Sequence, residues 1–219
     1  MKLYIDSLNL NEIREALDTG VIYGVTTNPF IAVNLDEEYL SRIRKICELV
    51  KTEVHAQAEG KTSDELLKSA QILAEISPVI IVKIPTFMEG IKAIKTLSSM
   101  GIKTTATAIT APSQALAAAL AGATYVAPFI GRVNNTSYSG LAMVQDIVET
   151  FKEHAVKTEV LAASIKNAMQ VVYAFKIGAQ GVTVKPDILR NIIENPHSLS
   201  IIDEMNKCWD NIEVKWGRK

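Results

Sequence analysis

Short apolar, β-branched runs alternate along the whole chain with segments whose apolar residues recur at helical spacing. The runs are KLYID (2–6), GVTTN (24–28), EVHAQA (53–58), VIIVKIP (79–85), TTATAI (104–109), TYVAPFI (124–130), EVLAAS (159–164) and GVTVK (181–185), eight in all. Several are almost continuously apolar, the pattern of strands covered on both faces in a parallel sheet. Between them Leu10, Ile13 and Leu17 keep i, i+3, i+7 spacing, and Gly20 supplies a stop. Tyr39, Ile43, Ile46 and Val50 repeat the pattern, and Thr62 and Glu65 stand at capping-box spacing before another apolar stripe. Ile91, Ile94, Leu97 and Met100 form a further stripe, ended by Gly101. PSQALAAALAG, SGLAMVQDIVETFKEH, NAMQVVYAFKIG and PDILRNIIEN complete the series. Residues 197–219 remain as a tail, expected to be helical, whose Trp209 and Trp216 dock either on the parent barrel or on a neighbouring subunit.

Strict βα alternation predicts a parallel sheet with helices outside it. Eight units of about 27 residues each fall near the lower size limit of a (β/α)8 TIM barrel. An open doubly wound sheet is the alternative, but no G-x-G-x-x-G follows the first run, and evenly sized units suit closure better. No linker composition interrupts the chain. The expectation is an α/β protein with one TIM-barrel domain over residues 1–219, including the C-terminal helical tail.

Composition narrows the function classes. Of 219 residues 48% are hydrophobic and 21% charged, which is ordinary for a globular protein. A net charge of -1 and a pI near 6.3 predict neither nucleic-acid nor anionic-membrane binding. Cys47 and Cys208 form no CxxC, the start MKLYIDSLNLNEI is polar by its sixth residue, and no apolar run approaches a membrane span. The chain reads as cytoplasmic.

In a barrel the active site lies at the C-terminal ends of the strands, so the polar residues there matter most. The runs place there Asp6, Thr26 and Asn28, His55 and Gln57, Lys83, Thr105 and Thr107, Phe129 with Arg132 beyond it, and Ser164 with Lys166. Each has a plain reading. Lys83 could pair with Asp6, the threonines fit strands, Asn28 before Pro29 fits a turn, Gln57 could be a satisfied core amide, and Arg132 and Lys166 could be surface charges. Their convergence on one mouth favours chemistry. A lysine amine in apolar walls has its pKa pushed down, and a neutral amine attacks a ketone to form a Schiff base, an electron sink for breaking a neighbouring C–C bond. Asp6 is the candidate to take the hydroxyl proton lost in cleavage. Gln57 and Thr107 are suited to hold a water. Arg132 and Ser164, with the backbone N–H groups opening the helix after Ser164, are suited to clasp a phosphate. A metal-dependent route would need clustered histidines, and His55, His154 and His197 are dispersed. A non-catalytic barrel that keeps the lysine for structure is the reading from another class.

The segments LYIDSLNLNEI, GVTTNP, IIVKIP, EGIKAIKTLSSMGIKTTATAI, QALAAALAGATYVAPFIGR and VLAASIKN together resemble the small, single-domain transaldolase and fructose-6-phosphate aldolase family, over nearly the whole chain. The resemblance implies a class I aldol reaction on a sugar phosphate without a cofactor or metal, on a TIM barrel assembled as a homodecamer. It makes Lys83 the Schiff-base lysine and Asp6 the acid/base residue. It makes Thr26 and Asn28 substrate contacts, Gln57 and Thr107 holders of the catalytic water, and Arg132 and Ser164 the phosphate site. Transaldolases of this family carry Glu on strand three and Phe on strand six, and the aldolases carry Gln and Tyr. Here the pair is Gln57 and Phe129, one from each branch. Because Gln57 lacks a carboxylate and the C-terminal WGRK resembles the aldolase branch, the sequence leans to a fructose-6-phosphate aldolase. The alternative is a transaldolase moving a dihydroxyacetone unit between sugar phosphates of the pentose phosphate pathway.

Overall fold

A computed structural model describes residues 1–33 and 35–212. Eight parallel strands close into a barrel in sequence order: β1 (Lys2–Asp6), β2 (Gly24–Thr26), β3 (Val54–Gln57), β4 (Ile80–Pro85), β5 (Thr104–Ile109), β6 (Tyr125–Pro128), β7 (Glu159–Ala162) and β8 (Gly181–Val184). This is the (β/α)8 TIM barrel that the alternation predicts. The long outer helices are α1 (Leu10–Asp18), α3 (Tyr39–Leu49), α4 (Ser63–Ala74), α5 (Met88–Ser99), α6 (Pro112–Leu120), α8 (Gly140–Glu153), α9 (Ala168–Ile177) and α10 (Pro186–Ile193). Their buried faces include members of the predicted stripes, Ile13 in α1, Ile43 and Ile46 in α3, Ile94 and Leu97 in α5, while Met100 of the last stripe is exposed. Each such buried Ile or Leu contributes about 1.5–3 kcal/mol of transfer free energy. The predicted capping box of α4 is formed, with the Thr62 hydroxyl accepting from Glu65 N and the Glu65 carboxylate accepting from Thr62 N.

Three details depart from the sequence expectation. The second, sixth and seventh runs stop early as strands, at Thr26, Pro128 and Ala162. Two one-turn helices, α2 (Pro29–Ala32) and α7 (Ile130–Val133), follow β2 and β6; four residues are too few to show a helical period. The tail forms α11 (Pro196–Asp210), which buries none of its residues and exposes Leu199, Ile201, Ile202, Met205 and part of Trp209. Trp216 and the WGRK segment lie outside the described residues.

Inside the barrel a second, smaller cluster of Tyr4, Ile81, Tyr125 and Leu161 separates two polar layers. At the N-terminal end Lys2 Nζ donates to Tyr125 Oη at 2.7 Å and lies 2.8 Å from Glu159 Oε2, while Tyr4 and Tyr125 both donate to Glu53. His55, fully buried, stands edge-on between Tyr4 and Tyr125, at centroid distances of 5.0 and 5.1 Å. Its Nδ1 pairs with the Thr105 hydroxyl at 2.8 Å. Burial moves the His55 pKa down, against the pull of the Glu53 carboxylate 3.5 Å from its Nε2. His55 and Thr105 therefore belong to the packed floor beneath the mouth, one step deeper than the sequence reading placed them.

The end of β4 is held close to α5. A Cβ at Gly90 would fall 1.9 Å from the Pro85 carbonyl oxygen. An ordinary helical Gly→Ala change stabilises by about 1 kcal/mol, but here the backbone blocks it. Gly90→Ala is expected to lower the thermal midpoint by about 2–10 °C, from overpacking of about 1–3 kcal/mol. A raised midpoint in a calorimetric or circular-dichroism melt would contradict this contact.

Candidate active site

A cavity of about 360 Å³ opens at the C-terminal mouth of the barrel. Its wall includes Asp6, Asn28, Gln57, Lys83, Thr107, Phe129, Arg132 and Ser164, eight of the nine residues singled out from the sequence. Thr26 is the exception. It stands behind the wall, donating to Asp6 Oδ1 at 2.8 Å and sharing a 2.6 Å hydrogen bond with the Thr183 hydroxyl. As a strand residue in register with Asp6 it supports that carboxylate.

Lys83 projects inward from β4, between Gln57 on β3 and Thr105 on β5 in register. Only 7% of it is exposed. Its Nζ donates to the Thr27 carbonyl at 2.7 Å. Burial pushes the amine below its ordinary 10.5, and the negative charge of Asp6 pulls part of the way back. The plain reading of Lys83 as the ion-pair partner of Asp6 does not hold among the described residues. The Asp6 oxygens are instead taken by the Thr26 hydroxyl and by the Asn28 amide, which donates at 3.1 and 3.0 Å. A carboxylate held by three hydrogen bonds from two neutral side chains stays fixed beside the amine without neutralising it through direct contact.

Asn28 does two things at once. Its Nδ2 reaches Asp6, and its Oδ1 caps α2 by accepting from Ile31 N at 3.3 Å. The strand ends at Thr26 so that Asn28 can turn into this cap, with Pro29 in the first helical turn. On β5 the register to β6 shifts between Ala106 and Ile109, around Thr107. Ala108 (φ 61°) and Ser164 (φ 59°) both take left-handed backbone on the cavity wall. Such conformations cost about 1–3 kcal/mol each and persist where the surroundings impose them. The Ser164 carbonyl is fixed by accepting from Gly131 N at 3.0 Å.

The backbone N–H groups after Ser164 are partly committed within the chain. The helix α9 begins only at Ala168, and the Lys166 and Gln170 amides are already taken by the Gln170 and Asn167 side chains at 2.8 and 3.0 Å. Cationic side chains add anion-binding capacity at the mouth. Besides Arg132, the cavity wall carries Lys166 and Lys185. Lys166 reads from sequence as a surface charge, and Lys185 as the end of a strand. The sequence reading also passed over Phe30, Ala108 and Thr183. An aromatic residue directly after Asn28-Pro29 is the one signal that pointed to Phe30; a non-glycine residue at positive φ leaves none. Among the described residues no group of three or more His, Cys, Asp or Glu is placed to hold a metal ion, and no helix is long and apolar enough to cross a membrane.

Comparison with known proteins adds an independent line. The family Transaldolase/Fructose-6-phosphate aldolase matches residues 3–217. The chain is similar to the "Probable transaldolase" of Dictyoglomus turgidum, 40% identical over 97% of this chain and 99% of that protein. It is likewise similar to the "Probable transaldolase" of Pelotomaculum thermopropionicum, 40% identical over 98% of this chain and all of that protein. The "Probable transaldolase 1" of Bacillus cereus is 36% identical over 98% of this chain.

The lowered amine pKa has a thermodynamic consequence. Between the folded-state value of Lys83 and 10.5 the unfolded chain binds more protons, so native stability gains as pH rises through that window. Below it, burying the lysine carries its full cost. Thermal midpoints of wild type and Lys83→Met compared from pH 7 to pH 10 are expected to move in favour of wild type as pH rises. A difference independent of pH would mean an unperturbed amine.

Proposed function

The chain belongs to the transaldolase/fructose-6-phosphate aldolase family, and from that premise we propose that it is a Schiff-base transaldolase acting on ketose phosphates. The observation that carries this reading is the desolvated Lys83 amine, opening on a small polar cavity beside a fixed carboxylate. The Lys83 amine adds to the C2 ketone of the sugar, and loss of water leaves a protonated Schiff base. Asp6 accepts the proton of the C4 hydroxyl as the C3–C4 bond breaks. The bonding electrons pass to the iminium as an enamine, and the aldose phosphate departs. The enamine then attacks the carbonyl carbon of an acceptor aldose phosphate, Asp6 returns its proton to the new hydroxyl, and water releases the product ketose from Lys83. Gln57 and Thr107 hold the water for the addition and hydrolysis steps. Asn28 orients the substrate hydroxyls, with Thr26 behind Asp6. Arg132 and Ser164 take the phosphate.

Transfer is preferred over simple cleavage because the similar proteins from three organisms are each named a probable transaldolase, and because Phe129 brings no hydroxyl to protonate the enamine. This reverses the lean that Gln57 and the C-terminal WGRK suggested. The aldolase reading keeps one supporting observation, the amide of Gln57 on the wall where a carboxylate would otherwise activate water. Self-association belongs to the same proposal, supported by Leu199, Ile201, Ile202 and Met205 of α11, which stand exposed among the described residues.

Borohydride reduction in the presence of fructose 6-phosphate is expected to attach the sugar or its three-carbon fragment to the Lys83 peptide, as read by mass spectrometry. Label only on Lys166 or Lys185 would refute the site. Consumption of fructose 6-phosphate is expected to depend on added erythrose 4-phosphate; equally fast release of glyceraldehyde 3-phosphate without it would assign the aldolase reaction instead. Phe129→Tyr is expected to raise release of free dihydroxyacetone relative to transfer by about two- to twelvefold, the worth of one neutral hydrogen bond of about 0.5–1.5 kcal/mol. An unchanged ratio counts against the role given to position 129.

A further inference from the structure

Phe30 and Arg132 meet across the mouth of the barrel. Phe30 lies in α2 just beyond β2, and Arg132 in α7 just beyond β6, two strands on opposite sides of a closed ring of eight. The guanidinium carbon sits 5.5 Å from the Phe30 ring centroid, within cation–π range. Both side chains line the cavity that holds Lys83. The ring is not there for the core: Phe30 is 72% exposed and α2 buries no residue. Among the described residues Arg132 makes no ion pair, so the aromatic face is what orients its charge. The turn carrying the ring is itself fixed, since Asn28 caps α2 with one side-chain atom while holding Asp6 with the other.

From this we infer that Phe30 is a specificity-determining positioning residue, which holds the Arg132 guanidinium over the cavity and makes the site select sugars that end in phosphate. A free arginine loses much rotamer freedom when it clasps an anion, and a ring that orients it beforehand reduces that loss. A substrate with an uncharged tail gains nothing from the arrangement. The inference rests on the reading of Arg132 as the phosphate site.

Two measurements on wild type, Phe30→Leu and Phe30→Tyr test it. The first is the half-saturating concentration of fructose 6-phosphate, and of unphosphorylated fructose, for borohydride trapping on Lys83. The second is the affinity for inorganic phosphate, by titration calorimetry. Phe30→Leu is expected to raise the half-saturating fructose 6-phosphate concentration about two- to fivefold and to weaken phosphate binding by the same factor. The ratio between the two sugars shifts accordingly, and Phe30→Tyr restores both readouts. An equal shift for both sugars, or phosphate affinity unchanged in Phe30→Leu, overturns the inference. If Lys83 is not trapped at all even in wild type, the Schiff-base reading falls, and the phosphate titration still decides the role of Phe30.

Discussion

One desolvated amine sets the terms for the rest of this molecule. Lys83 sits in the middle of an apolar strand with its Nζ facing a backbone carbonyl and no direct counter-charge among the described residues. A buried ammonium is tolerable only if it is paired or gives up its proton. Here the nearest carboxylate, Asp6, is occupied by Thr26 and Asn28, so the balance tips toward the neutral amine. A direct Lys83–Asp6 ion pair would have tied up both groups. Keeping them adjacent but separately held leaves a nucleophile and a proton acceptor on one small cavity.

The layering of the barrel interior serves the same end. The Lys2, Glu53 and Glu159 charges and the tyrosine hydroxyls are gathered at the N-terminal end, and Tyr4, Ile81, Tyr125 and Leu161 fill the middle. His55 belongs to that middle layer, edge-on between the two tyrosine rings. Water and charge are thereby kept from reaching Lys83 from below, and the amine meets solvent only through the mouth. The helices outside contribute the bulk of the apolar burial; the interior tyrosines and the histidine contribute the low polarity that Lys83 experiences.

The fold was legible because period and length carry it. Eight near-continuous apolar runs separated by helical stripes admit few topologies, and the register of β3 to β5 follows from them. Most of the candidate site was legible too, since polar residues at strand ends converge in any closed barrel. What escaped depends on events at the ends of strands. Which oxygen of Asp6 the Thr26 hydroxyl holds, where α9 begins after Ser164, and how the bulge near Thr107 turns the chain are settled by caps and left-handed residues that have no periodicity. Phe30 and Arg132 are 102 positions apart by number, and only barrel closure brings their helices together. Gln57 and Phe129 were found at the cavity as expected, yet their types point to different reactions, and resemblance to named relatives weighs more there than the physical chemistry of either side chain.

The central claim is that the fold desolvates the Lys83 amine and so lowers its pKa below the ordinary lysine value. Carbon-detected NMR titration of protein carrying 13C at the lysine Cε positions measures this directly, with Lys83→Met assigning the signal. The expected result is a Lys83 resonance that titrates below the ordinary lysine value of 10.5. A Lys83 signal that titrates together with the surface lysines would contradict it.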